Sequence, residues 1–451
     1  MRDDVLLDTL EFFRESSSSE IPDQVWENVE NVILKTFVPQ MKVGSERPCE
    51  ESDYKEYVLE IGSKFKILTF IFHQIANNVG CEKFDANKRV SKNLAVYLLL
   101  LCGEHSDDDK WTTEETIKYS GELISHLCKL CQCKSISELL TGVESRHEFV
   151  GLFSTALLFL RPKLLKDTWK SFPAAVSCYQ WLMFHVKSPH LSPHLSSVLP
   201  TALIIVDDFV PDNRIRGIRC LNHITDNITR TELGWNGCGD VIYKALEPLL
   251  YQREAATVQP LVSCLICVLS KVEGGYIKDE PNYQWSRYDD VLERFLQTME
   301  LEDRLTSRLV YISSLPPLLE AAGLRVCRWS ERLLRVCGRY LEVAGYSERK
   351  EAEHVLLAIR VFVRHCWPLV PAHCQTLLQM LLRLLCDITY KEETTGGRKD
   401  EEEQHIVNLT EECLTLVAKI CPEETKVLCA DITSRARFNQ TFAAVLDRVF
   451  G

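Results

Sequence analysis

The sequence predicts an all-α fold, an α-solenoid of degenerate HEAT-like helical repeats, and three observations carry that prediction. Apolar residues recur at i, i+3, i+4 and i+7 along the whole 451 residues, the one-sided pattern of packed helices. Alternating strands with hairpin turns are not found. Glycine (19) and proline (17) are sparse, which suits few tight turns and much helix.

Taken in order, Val5, Leu6, Leu10 and Phe13 set a first stripe, and Val25, Val29, Ile33 and Phe37 a second with Pro22 near its start. Further helices are predicted over Tyr57–Ile75, Val90–Cys102, Trp111–Cys131 and Phe149–Leu160. The second half continues with His194–Asp207, Asn213–Ile228, Asp240–Leu250, Ala255–Val272 and Tyr288–Met299. It ends with Arg304–Ala322, Arg325–Leu341, Glu351–Trp367, Ala372–Ile388, Gln404–Ile420 and Phe438–Phe450. Polar punctuation falls between the stripes: Gly44–Asp53, Gly103–Asp109, Ser188–Ser197, Gly274–Asn282 and Glu392–Glu403, the last expected to be a mobile acidic loop. No Gly/Ser linker separates two globules. The chain divides into an N-terminal helical segment, residues 1–190, and C-terminal HEAT-like repeats, residues 191–451.

Bulk composition narrows the function. A net charge of -12 leaves no basic excess for nucleic acid. The N-terminus is acidic from its third residue and resembles neither a secretory nor a transit signal. The longest uninterrupted apolar run, Leu94–Cys102, is about half a bilayer span, so no membrane association and an intracellular chain are expected. Nineteen scattered cysteines then read as reduced core thiols.

Candidate chemistry is thin. The run Ser125–Cys133, SHLCKLCQC, offers His126, Cys128, Cys131 and Cys133, but a zinc site needs a second converging pair. Buried thiols are the expected reading there, as for Cys264 and Cys267, and no metal or cofactor is expected. His190 and His194 sit in a proline-stiffened connection, and His354 and His365 read as helix-surface and packing residues. Acids such as Asp107–Asp109 read as solvated loop residues or caps. Nucleophile elbow, P-loop, dinucleotide, zincin and kinase signatures are all missing, so the chain is not expected to be an enzyme.

Two arrangements stand out. Arg325, Arg328, Arg332, Arg335 and Arg339 recur at three- and four-residue steps, a basic ridge on one helix face. It is either a salt-bridged face or a docking surface for an acidic partner. The other is Val206–Ile224, VDDFVPDNRIRGIRCLNHI, which fits the joint between the two helices of a HEAT repeat. Asp207 and Asp208 should close the first helix, Pro211 force the turn, and Asp212 or Asn213 cap the second helix. Ile215, Ile218, Leu221, Thr225 and Ile228 should face the core, with Arg216 pairing to the turn acids. Gly217 costs about 1 kcal/mol relative to Ala inside a helix, so it should permit a close helix approach. Arg214 and Arg219 receive no assignment.

Through Asp207, Asp208, Pro211, Arg216, Gly217 and the Leu221–Ile224 end, the joint resembles the Tti-two family, a subunit of the Triple T (TTT) co-chaperone complex. The resemblance covers roughly residues 196–450. It implies a non-enzymatic scaffold that works with two other helical-repeat subunits and the heat-shock chaperone machinery. Its clients would be phosphatidylinositol-kinase-related protein kinases, reached indirectly, in the cytoplasm and the nucleus. The alternative on the same fold is a HEAT-repeat transport or trafficking adaptor, which the net charge permits although no regular Trp/Asn ladder is present.

Overall fold

Helix starts and stops follow local chemistry wherever the sequence supplies it. Thr113 accepts from the Thr116 amide and Thr116 from the Thr113 amide, a reciprocal cap that opens the helix Glu114–Leu130. That helix ends in a Schellman turn, with Gln132 left-handed at φ 55°. The Cys133 amide donates to the Cys128 carbonyl at 2.8 Å, and the Gln132 amide to that of Lys129 at 3.1 Å. The cysteine spacing that resembled metal ligation is therefore a helix C-cap whose three thiol residues are buried.

The computed structural model describes residues 9–13, 21–41, 47–79, 89–143, 150–235, 237–273, 284–347, 349–394, 401–427 and 440–450. Val5 and Leu6 of the first predicted stripe, the loop Gly274–Asn282 and most of the turn before Arg47 lie outside them. Among the described residues there is no strand. Two compact units divide after Ile228, Met1–Ile228 and Thr229–Gly451, so the 190/191 division read from the sequence falls inside the first unit.

The first unit contains α1 (Asp23–Thr36), α2 (Lys55–Gln74), α3 (Arg89–Glu104), α4 (Glu114–Leu130), α5 (Ile136–Thr141), α6 (Phe153–Leu160), α7 (Pro173–Phe184), α8 (Leu195–Val206) and α9 (Pro211–Asn227). One row of neighbours runs α1, α3, α7, α9, while α2 packs against α4, and α8 pairs with α9. The second unit contains α10 (Arg230–Trp235), α11 (Cys238–Leu246), α12 (Ala255–Val272), α13 (Arg287–Leu301), α14 (Leu305–Ala322), α15 (Ser330–Ser347), α16 (Arg349–His365), α17 (Val370–Thr394), α18 (Glu401–Ile420) and α19 (Gln440–Phe450). Its layers are explicit: α12, α14, α16 and α18 form one row, and α13, α15, α17 and α19 the other. Each helix skips its sequence neighbour to pack in its own row, which is how an α-solenoid grows. Ile312, Leu315 and Leu319 of α14 and Val355, Ile359 and Phe362 of α16 are fully buried. Each such side chain contributes roughly 1.5–3 kcal/mol of transfer free energy.

Two expectations change. Glu392–Glu403 is not one long loop: α17 runs to Thr394 and α18 begins at Glu401, leaving only residues 395–400 undescribed. The acids Glu401, Glu402 and Glu403 fill the first turn of α18, where the helix dipole favours them. Arg325–Leu341 is not one helix either: Gly323–Trp329 is a 3₁₀ segment entered through Gly323 at φ 58°, and α15 begins at Ser330. The membrane estimate is also revised. Ala255–Val272 and Trp367–Tyr390 are long and apolar enough to cross a bilayer by length and composition. In α12, however, Val258, Leu261, Val262, Leu265, Val268 and Leu269 are buried inside the unit, so this is a core helix.

Candidate functional site

The joint sits in the first unit, where α8 ends and α9 begins. Asp207 caps the C-terminus of α8, and Pro211 occupies the first position of α9 after an extended Val210. Proline belongs there, because its missing N–H would be an orphan in any case. Neither Asp212 nor Asn213 caps the helix; no side chain does. Asn213 instead donates its amide to Asp208 Oδ2 at 2.8 Å. The unassigned Arg214 is buried, and its guanidinium donates to the carbonyls of Asp208 and Phe209, both at 3.2 Å. It pins the carbonyls of the turn between α8 and α9 by hydrogen bonding. Arg219 is exposed.

Gly217 behaves as its position in the repeat suggests. A Cβ placed there would lie 2.4 Å from the Val206 backbone nitrogen and 2.6 Å from its Cα. The α8 backbone cannot retreat from such an overlap, so the close approach of α8 and α9 requires glycine. Ile218, Leu221, Thr225 and Ile228 are buried as expected, along with Cys220 and Ile224, whereas Ile215 is only partly buried.

Arg216 does not pair with the turn acids. It reaches across the unit to Asp109 Oδ1 and to Ser177 Oγ. Asp208 is instead matched by Lys170, whose Nζ stands 2.9 Å from Oδ1. The physical reason is direction: Arg216 lies more than a turn into α9 and points toward the α3–α4 loop and α7, while Asp208 points toward Lys170 on the loop before α7. Asp109, read from sequence as a solvated loop acid, is therefore a buried partner with a side chain only 7% exposed. Thr112 holds it in place: its hydroxyl accepts from the Asp109 amide at 2.8 Å and donates to the Asp107 carbonyl at 3.0 Å. Nothing in DDDK marks the third aspartate above the other two; the signal is tertiary.

Around these groups lies a cavity of about 120 Å³. Its walls include Met41, Pro48, Trp111, Trp169 and Phe209, together with Asp109, Lys170, Asp208 and Arg216. Trp169 is buried, and Phe209 is 58% exposed at the rim. The Lys170 ammonium lies 4.7 Å from the Phe209 ring centroid and 5.6 Å from that of Trp169. Beneath the cavity, the Trp111 indole donates to the Glu104 carbonyl at 2.7 Å. Glu104 is buried, accepts from the Val38 amide at 2.9 Å and has Lys163 at 3.5 Å. Burial pushes its carboxyl up to about 7, against the pull of Lys163. Neighbouring His105, fully buried beside Tyr57 at 2.9 Å, is driven down to about 3 by desolvation.

The second unit holds the arginine ridge. Arg332 meets Glu300 at 3.1 Å and Arg335 the same carboxylate at 3.5 Å. Arg339 donates to the Glu300 carbonyl and lies 4.0 Å from Asp303. Arg325 and Arg328, on the 3₁₀ segment, stack over Tyr288 at 5.1 Å and Trp285 at 5.0 Å. The five residues therefore brace the end of α13 and its flanks, with Arg335 and Arg339 keeping exposed edges of 63% and 49%. Deeper in this unit, Arg308 and Glu351 form an ion pair at 2.8 Å, 7% and 0% exposed, with Tyr340 4.0 Å below the guanidinium.

Among the described residues no group of three or more His, Cys, Asp or Glu could hold a metal ion. His126 packs edge-on against His73 at 5.3 Å, and His194 against Phe153 at 5.0 Å. His365 faces Glu320 at 3.2 Å. The described arrangement is one of helix rows, braces and a small cavity: a HEAT-like α-solenoid.

The fold comparison agrees. The chain is similar to Kap121p bound to RanGTP, with TM-score 0.55, 13% identity, and 94% of this chain and 38% of that one covered. It is also similar to yeast importin-beta (Kap95p), with TM-score 0.52, 13% identity, and 98% and 52% covered. At that identity the likeness is one of fold, and the chain spans about half or less of those longer solenoids. Within this class, the Tti2 family model matches residues 160–344, the stretch that includes the joint. TELO2-interacting protein 2 of Rattus norvegicus is 29% identical over 390 residues, covering 85% of this chain and 75% of that protein. Its Homo sapiens counterpart is 30% identical over 329 residues, covering 73% and 64%. Similarity to these relatives extends over most of the chain.

Proposed function

We propose that this chain is a non-enzymatic scaffold subunit of a co-chaperone complex of the TTT kind, and that the complex supports the maturation and stability of phosphatidylinositol-kinase-related protein kinases. The observation that carries the proposal is the Tti2-family match over residues 160–344, reinforced by relatives named for interaction with TELO2. Stacked helix rows suit the role, since a solenoid offers long faces to another elongated protein. Two other helical-repeat subunits are the proposed direct partners. Chaperone machinery and kinase clients are engaged through the assembly, in the cytoplasm and the nucleus. Within this reading the exposed edges of Arg335 and Arg339 are the part of the ridge that meets an acidic partner surface.

Depletion and rescue test the client claim. Removing the protein should lower the steady-state level of the giant kinases at unchanged messenger RNA, and re-expression should restore it. Kinase levels that do not respond would overturn it. A transport adaptor would instead show mislocalised cargo at normal kinase abundance.

A further inference from the structure

The cavity at the α8–α9 joint is not consumed by the joint's own bonding. Asp109, which lines the cavity, spends Oδ1 on Arg216, while its Oδ2 is buried with no hydrogen-bond donor among the described residues. A buried carboxylate oxygen without a donor costs free energy, and a donor brought to it recovers a charge-assisted hydrogen bond. That oxygen lacks a donor among the described residues, and a ligand can provide one.

Charge does not select that ligand. Arg47 is held by Asp53 at 2.6 Å, Lys170 by Asp208 at 2.9 Å, and Arg216 by Asp109. The lining residues that remain, Lys110 and Asp212, are both exposed and opposite in sign. An incoming cation or anion therefore gains no net Coulomb advantage and loses its hydration. The uncharged lining offers flat apolar faces from Trp111 and Trp169 with Pro48 and Pro173, and Phe209 half open to solvent at the mouth, beside the smaller polar groups of Cys49, Ser177 and Asn213. The volume of about 120 Å³ accommodates one side chain.

A neutral aromatic ring bearing a hydrogen-bond donor meets all of these conditions, and we propose that the cavity is a socket for a tyrosine side chain of a partner protein. The ring lies against Phe209 and Trp169, and the phenol donates to Asp109 Oδ2. Tyrosine serves interfaces because it buries a large rigid surface while its hydroxyl is satisfied. Lys170, half exposed and resting on the Phe209 ring, is the side chain that yields on entry. The inference does not depend on which complex the protein joins.

The test uses the full chain and ligand-detected NMR with N-acetyl-tyrosinamide, and compares the phenylalanine, arginine and glutamate analogues. The expected result is saturable millimolar binding of the tyrosine probe, with the phenylalanine probe about tenfold weaker and the charged probes weaker still. Phe209→Ala, at a 58% exposed rim position, should weaken the tyrosine probe several-fold without moving the melting temperature. Asp109→Asn should abolish the preference for tyrosine over phenylalanine, and a melting curve reports whether the variant is folded. Equal binding of the tyrosine and phenylalanine probes would overturn the proposal. So would preference for a charged probe, or no saturable binding of the tyrosine probe to the wild-type protein.

Discussion

The joint of the first unit and the arginine ridge of the second both stand out in the sequence for their arginines, and the structure uses them in opposite ways. Along the ridge, Arg332, Arg335 and Arg339 converge on Glu300 and its surroundings, and two more arginines lie over aromatic rings. The chain's own acceptors are well matched to those guanidiniums. At the joint, Arg216 reaches an acid 107 positions earlier, and the pairing leaves a carboxylate oxygen without a donor among the described residues, on a residue that lines a cavity. Arginine spacing alone does not distinguish a brace from a binding site. The balance of donors and acceptors that remains after folding does.

A third pair sets the scale. Arg308–Glu351 is a more deeply buried counterpart of Arg216–Asp109, with both members buried and an aromatic ring beneath. Arg308→Met should therefore give the largest loss, about 3–5 kcal/mol, because it leaves Glu351 buried without its cation. The double change Arg308→Met with Glu351→Leu should recover most of it, as read by urea denaturation. Next comes Gly217→Leu, expected to cost about 3 kcal/mol from overpacking against rigid backbone. Gly121→Ala in α4, where an added Cβ meets nothing within 4 Å, should instead stabilise by about 1 kcal/mol or less. Equal effects at the two glycines would refute the close-approach role of Gly217.

Glu104 sharpens the comparison through pH. Its folded value of about 7 lies above the ordinary 4.5, so the fold favours the protonated form, and stability falls as pH rises from 4.5 through 7. His105 acts oppositely: its folded value of about 3 lies below 6.5, and its contribution is complete above pH 6.5 and lost as pH falls below it. Glu104→Gln isolates the first effect. Between pH 5 and 8 the wild type should lose about 2–3 kcal/mol relative to the variant. A constant difference would show that Glu104 does not titrate in this window. Smallest of all, Glu300→Gln loosens partly exposed ion pairs along the ridge and should cost under about 1 kcal/mol.

How much of this was legible in the sequence follows from which interactions are local. The helices of α12, α16 and α18 were readable because a 3.6-residue apolar stripe is a local signal, and Pro211 and Gly217 were readable because proline and glycine carry backbone constraints with them. The break at Trp329–Ser330 was not, since 3₁₀ and α segments share three- and four-residue spacings. The partner of Arg216 was invisible for a different reason. The sequence offered Asp207 and Asp208 nearby, and only the packing of the α3–α4 loop against α9 brings Asp109 into reach. Arg214 was missed because its role depends on the carbonyls of the turn residues Asp208 and Phe209, which no side-chain pattern displays.

The central claim is that this solenoid serves as a subunit of a TTT-type assembly. Affinity purification of the full-length tagged chain from cells, followed by mass spectrometry, tests it most directly. The predicted result is stable, near-stoichiometric recovery of a TELO2-type protein and a second helical-repeat protein, with the giant kinases at lower yield. Recovery of transport receptors, a Ran-type GTPase or coat proteins in their place would contradict it.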